Sequence, residues 1–223
     1  MAGELTRRRQ APTVRAMGFL GKGLLAVWND IPSAVETRFN GWYRDEHLAE
    51  RVGLPGFRRG RRYRALDGAP AYGALYECEA PEAMASDAYR ARLDDPTPMT
   101  SEMLAQFVNM HRTVCRVAST AGRGVGGALA ALRPDGNAAA KGFADAIPGL
   151  LESPGIVAAH LCEGVPELTH NDSAETRVRQ GPDQIETWLA LVEGTDKASL
   201  RAALGSQRAA YYELIHVIHA DDL

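Results

Sequence analysis

Between Phe39 and Arg51 the chain sets two aromatics, Trp42 and Tyr43, beside the carboxylates Asp45, Glu46 and Glu50 and the histidine His47. A carboxylate beside a histidine can fix its tautomer and raise its basicity, which suits a general base. A carboxylate buried without a partner titrates higher, which also suits proton transfer. His47 and Glu46 are therefore the candidate catalytic residues. At about 100° per residue, Val35, Phe39, Trp42, Ala49 and Gly53 share one side of a helix. Glu46 falls within that apolar stripe, Tyr43 and Glu50 flank it, and His47 sits one step further round. Tyr43 and His47 are four apart, so their side chains can touch. The structural alternatives are a Glu46 pair with Arg61 or Arg62, and a His47 bond to a carbonyl at the helix end.

A turn at Leu54-Pro55-Gly56-Phe57 leads into Arg58-Arg59-Gly60-Arg61-Arg62-Tyr63-Arg64. Strand alternation sends these side chains to opposite faces, so the run fits a phosphate-tracking surface poorly. An arginine facing a cavity could instead hold a carboxylate or enolate with two parallel hydrogen bonds. His111 alternates with Thr113, Cys115 and Val117 and could point between sheets. His216 and His219 are an odd step apart and face opposite sides, so at most one lines a cavity. No nucleophile motif and no metal-ligand spacing occurs. The glycine-rich stretch at 122–127 precedes a strand rather than joining a strand to a helix, so it reads as a linker and not a dinucleotide loop.

The elements that must position these residues follow one pattern twice. Residues 24–28 form an apolar run of strand length. Ser33 is placed to cap the helix carrying the motif, which Gly53 and Pro55 end. Residues 59–65 and 72–78 read as strands about the turn Asp67-Gly68-Ala69-Pro70. A helix at 81–93 starts with proline, Asp95-Pro96-Thr97-Pro98 breaks the chain, and 108–117 is a strand. The second half repeats this with a strand at 125–132, a helix at 138–151, strands at 157–162 and 185–192, a helix at 195–204 capped by Thr195, and a strand at 211–219. Pro55-Gly56 and Pro154-Gly155 lie 99 residues apart and mark the register. A split β-α-β unit occurring twice is an α+β, tandem ferredoxin-like (β-α-β-β-α-β) arrangement, with domains at 18–121 and 122–223. The two sheets would pack face to face as a pseudo-dimeric α/β barrel, and the space between them would be the natural pocket. That register sets Lys141, Gly142, Asp145 and Ala146 opposite Trp42, Tyr43, Glu46 and His47, so one site per chain is expected. The polar insertion at 163–184 is long enough to cover a pocket mouth.

Composition narrows the function classes. The chain has 223 residues, 45% apolar and 24% charged, with a net charge of -3. That balance gives no general attraction to nucleic acid or to an anionic membrane. No apolar run reaches the roughly 18 residues that span a bilayer. Cys78, Cys115 and Cys162 are far apart and odd in number, which reads as buried reduced thiols in a cytoplasmic protein. Residues 1–17 carry Arg7, Arg8, Arg9 and Arg15 without an apolar segment, so they read as a disordered basic extension rather than a secretory signal. Met17 is an alternative start.

The run Phe39-Asn40-x-Trp42-Tyr43-x-x-Glu46-His47-Leu48-x-Glu50-Arg51, with Pro55-Gly56-Phe57 and Arg61-Arg62-Tyr63, resembles the signature of small bacterial proteins in the EthD-like branch of the dimeric α/β-barrel superfamily. Ala49 departs from it, where the family pattern often has proline. Such proteins are usually single ferredoxin-like domains that dimerise, so the resemblance implies a fused pseudo-dimer here. It further implies a cofactor-independent isomerase, cyclase or lyase acting on an aromatic or β-dicarbonyl-type small molecule. His47 would move a proton next to a carbonyl, Arg62 or Tyr63 would stabilise the enolate, and Trp42, Tyr43 and Trp28 would contact the substrate. No metal is implied. Two alternatives stand beside it: a haem- or oxygen-using monooxygenase-like relative, and a non-catalytic small-ligand binder.

Overall fold

Turn-bounded apolar runs become strands here because the ladder satisfies every backbone group while alternate side chains leave water on both faces. In the computed structural model, which describes residues 18–179 and 181–223, eight such strands close on themselves. The extension expected at 1–17 lies outside the described residues. The strands are β1 (Gly23–Asp30), β2 (Phe57–Asp67), β3 (Tyr72–Cys78), β4 (Val108–Gly122), β5 (Ala128–Leu132), β6 (Ile156–Gly164), β7 (Trp188–Gly194) and β8 (Ala210–His219). Around the barrel they run β1-β3-β2-β8-β5-β7-β6-β4, every neighbour antiparallel. The strand β4 runs five residues past Val117, into the stretch read as linker.

The helices lie outside this barrel. Between β1 and β2 come α1 (Glu36–Trp42), a π turn (Tyr43–His47) and α2 (Leu48–Val52). The helix expected at 81–93 divides into a 3-10 turn (Pro81–Ala85) and α3 (Asp87–Asp94), because the Ser86 hydroxyl accepts from the Tyr89 amide and starts a new helix there. A further helix, α4 (Pro98–Leu104), occupies the stretch read as a break. The second half carries α5 (Gly136–Glu152), α6 (Pro166–Thr169), α7 (Ala174–Val178) and α8 (Lys197–Leu204). The cap of α8 is Asp196 rather than Thr195, its carboxylate accepting from the Ser199 amide. Gly56 and Gly155 both hold positive φ, 86° and 79°, which explains the repeated Pro-Gly pair as a turn closed to other residues. Gly60 lets α2 approach β2, since a Cβ there would stand 2.7 Å from Val52 Cγ2.

Alternation divides the arginine run as expected. Arg59 and Arg61 point into the barrel, whereas Arg58 and Arg64 face out to Glu79 and Glu213. Inside, Arg61 Nη1 meets Glu193 Oε1 at 2.7 Å, Arg61 Nε and Arg59 Nη2 meet Glu77 Oε1 at 2.9 and 2.8 Å, and His160 Nε2 meets Glu193 at 3.0 Å. Burial pushes the Glu193 carboxyl up, but Arg61 and His160 outweigh it and hold it at about 2. The rest of the interior is filled by apolar and aromatic side chains, among them Trp28, Tyr63, Leu75, Leu191 and Tyr212. Among the described residues these side chains pack the interior, where a pocket was expected between the sheets. Cys78, Cys115 and Cys162 are buried and unpaired. Among the described residues no helix is long and apolar enough to cross a membrane.

Because Glu193 titrates below an unfolded carboxylate, its stabilising effect is present above pH ~4.5 and is lost as the pH falls through about 2. Glu193→Leu leaves Arg61 underpaired in the core and is expected to cost about 3 kcal/mol, read from the denaturant midpoint. Adding Arg61→Met should recover much of that loss, and a single variant as stable as the parent would contradict the role of the network.

Candidate active site

The motif helix opens differently from expectation. Pro32 takes the cap position, no side chain caps the end, and a 3-10 turn (Ser33–Val35) leads into α1. Its main departure is the π turn at Tyr43–His47. In a regular α-helix, residues five apart stand about 140° round from each other. A π turn bonds residue i to i+5 and brings them onto one face. Trp42 and His47 consequently stack, with ring centroids 4.1 Å apart and planes 29° from parallel. Tyr43 meets the His47 ring edge-on at 5.1 Å.

This re-phasing separates the two residues expected to move protons. His47 turns inward and is buried, whereas Glu46 turns sideways toward α4. Glu46 accepts hydrogen bonds from the hydroxyls of Thr97 and Thr100, and Trp42 Nε1 donates to the same Thr100 oxygen at 3.1 Å. Neither arginine proposed as its partner reaches it. Since Thr97 also caps α4, Glu46 ties α4 to the motif helix. The Thr97-Pro98 pair, a cap residue followed by proline at the first helical position, was the signal for α4.

The pull of Glu50 toward a more basic His47 is outweighed. Nδ1 stands 3.6 Å from Glu50 Oε2, beyond a hydrogen bond, and Glu50 turns to Arg92 at 3.1 Å. Burial, followed by the charge of Arg51, lowers the imidazole to about 3. The ring is therefore neutral at ordinary pH.

His47 borders a cavity of about 40 Å³ between the outer face of the sheet and the helices. Leu25, Val27 and Tyr76 form its floor, and Tyr43 and Arg51 stand beside His47. Its roof is the insertion, which contributes Asn171, Ser173 and Glu175. The insertion folds into α6 and α7 and covers this cavity on the outer face of the sheet, not the inter-sheet pocket for which it was considered. Arg51 pairs with Glu175 across the cavity, both buried. Arg112 of β4 is also buried in the wall, bonded to Thr169 O at 2.7 Å and to the Tyr89 hydroxyl at 3.2 Å. Burial raises the Tyr43 phenol, and Arg62 partly offsets that, its guanidinium 3.7 Å from the ring centroid. Burial likewise holds the Tyr76 phenol well above its ordinary value.

The expected site residues thus fall in three places. His47 and Tyr43 line the cavity, and Trp42 stacks on His47 from outside the lining. Arg62 lies behind Tyr43, outside the cavity lining, with Nη1 on Asn40 at 3.2 Å. Trp28 and Tyr63 are inside the barrel, on the opposite side of the sheet, where Trp28 packs on Tyr212 at 4.8 Å. His111 pairs with Glu186 at 2.8 Å, and neither His216 nor His219 lines the cavity. Arg51, Tyr76, Tyr89, Arg112 and Glu175 were missed. Arg51 was visible as the residue four beyond His47, but nothing local marked Glu175 or Arg112 as its neighbours. In the second half, α5 carries Lys141 and Asp145 as an exposed i,i+4 pair at the positions set opposite Trp42 and Glu46.

No family model and no curated protein matches the chain. Solved structures do. An anthrone oxidase-like protein is 12% identical with a TM-score of 0.55, covering 90% of this chain and 94% of its own. A putative monooxygenase from Fusobacterium nucleatum is 11% identical with a TM-score of 0.54, covering 90% and 95%. A putative monooxygenase from Lactobacillus acidophilus is 8% identical with a TM-score of 0.53, covering 89% and 97%. These likenesses establish the fold alone, that of the dimeric α/β barrels.

The geometry predicts that His47 stays neutral down to about pH 4, as its lowered value requires. Ring carbon and nitrogen shifts followed by NMR across pH 3–8 check this, and a midpoint near ~6.5, the unperturbed value, would contradict it.

Proposed function

We propose that this chain is a cofactor-independent enzyme of small-molecule metabolism, an isomerase, cyclase or lyase that moves a proton next to a carbonyl. The observation that carries the reading is the neutral His47, stacked under Trp42 by a π turn at the edge of a buried cavity. Single π turns recur at functional sites. In the proposed step, His47 takes a proton from the carbon beside the carbonyl. Burial and Arg51 make the ring a weak base in the empty site, and the negative charge of a bound substrate beside Arg51 would raise its basicity. The negative charge developing on the carbonyl oxygen would be met by the Tyr43 and Tyr76 hydroxyls, which stay protonated at neutral pH. Glu46 would act by position only, holding α4 against Trp42. Trp28 and Tyr63 would support the sheet from inside, and Arg62 would tune Tyr43.

The EthD-like assignment rests on the motif. The order β-α-β-β-α-β in each half, at 18–121 and 122–223, supports a fused tandem of ferredoxin-like units. Three unpaired buried thiols are in keeping with a cytoplasmic location. The cavity as it stands, about 40 Å³, holds little more than one water, and it would have to open for a haem as for any substrate. A second reading, oxygen use by the same carbanion, draws on the neighbours named as monooxygenases and as anthrone oxidase-like.

Deuterium wash-in from D2O into a panel of small aromatic ketones and β-dicarbonyls, followed by NMR, tests the proposal. His47→Gln is expected to fold and to lose catalysed exchange by about 10²-fold or more. Exchange by His47→Gln at the parent rate would remove His47 from the chemistry. Oxygen consumption coupled to turnover would favour the second reading.

A further inference from the structure

The cavity as it stands admits no metabolite, so part of its wall must leave when a ligand enters. The wall that can leave is α7 of the insertion, which meets the motif helix through Glu175 on Arg51, whereas α6 stays anchored on β4, where the Thr169 hydroxyl accepts from the Val114 amide at 3.0 Å. Arg51 is 3% exposed, and its Nη1 has no hydrogen-bond partner. Arg112 is equally buried and bonds only to neutral oxygens; among the described residues it makes no ion pair. A buried guanidinium without a counter-charge is costly unless a ligand supplies one. The third arginine in the lining, Arg179, belongs to the insertion and pairs with Asp183 there at 2.8 Å. Moving α7 aside with Arg179 and Asp183 would remove all three charges from the lining, while Thr169 of α6 stays on Arg112. It would leave Arg51 and Arg112 facing the cavity, with Tyr76 and Phe107 supplying apolar surface.

We infer that Glu175 is a built-in stand-in for the substrate's carboxylate, so the site takes a small carboxylic acid with a planar apolar body whose carboxylate displaces Glu175 from Arg51. This rests on the proposed function and narrows its substrate class. Arg51 would grip the carboxylate with two parallel hydrogen bonds, Arg112 would add its charge, and His47, four residues before Arg51, would be left beside the carbon to be deprotonated. The insertion then serves as a gate that opens to anions and stays shut to neutral analogues of the same shape, because those cannot replace the ion pair.

Benzoate, with benzamide as its neutral isostere, is a suitable probe. Calorimetric titration is expected to show benzoate binding to the parent chain, benzamide not binding, and Glu175→Gln gaining about tenfold or more in benzoate affinity. Arg51→Gln should lose that binding. Amide hydrogen exchange on the parent gives a readout independent of any variant: benzoate should speed exchange across α7 and slow it across α2. Failure of benzoate to bind, equal binding of benzamide, or benzoate binding with α7 exchange unchanged would each overturn the inference. None of these readouts involves turnover. Intact benzoate binding with no His47-dependent proton exchange would therefore sink the catalytic reading alone.

Discussion

The site depends on one π turn. Inserting a five-residue turn between α1 and α2 costs regular helical hydrogen bonding, and the surroundings hold it in place. Trp42, just before the distortion, and Glu46, within it, both bond to Thr100, so α4 holds them in their shifted phase. The stack of Trp42 on His47 follows from that phase, as does the burial that keeps the imidazole neutral. Without it, the helix would present Glu46 toward the sheet and His47 toward the flank. The same residues would then make an ordinary amphipathic surface helix.

The barrel supplies the rigid floor on which this works. Its interior holds Arg59, Arg61, Glu77, Glu193 and His160 as mutually compensated charges, packed among large aromatics. Fully burying one large apolar side chain contributes about 1.5–3 kcal/mol, and the interior has many of them. The chemistry is thereby displaced to the outer face of β1 and β3, where helices and the insertion close over it. This division separates Tyr63 from Arg62: adjacent on one strand, they belong to opposite faces of a sheet one residue thick.

Much of the architecture was legible in the sequence. The strand runs and the repeated Pro-Gly turns express short-range rules that a single chain carries openly. Three things were not. Helical phase was read at the α period, and a π turn leaves no compositional mark, so Glu46 and His47 exchanged roles. The interior of the barrel was expected to be a pocket, because strand order says nothing of how large side chains such as Trp28 and Tyr212 fill a closed sheet. The partners Glu175 and Arg112 lie far from His47 along the chain and reach it only through tertiary packing, 124 residues separating Arg51 from Glu175. Thr97-Pro98 is the instructive case, since its capping chemistry was present in the sequence and was read only as a break.

The most direct measurement is removal of the clamp by Thr100→Val, which keeps the shape of the side chain and takes away the hydroxyl that Trp42 and Glu46 share. Without that hydroxyl the segment is free to return to regular α-helix, in which Trp42 and His47 stand about 140° apart. The variant is expected to fold with an unchanged circular dichroism spectrum. It should lose the ring-current shift that Trp42 imposes on the His47 protons, together with proton-transfer activity. A folded Thr100→Val chain that keeps both the shift and the activity would contradict the dependence of the site on the π turn.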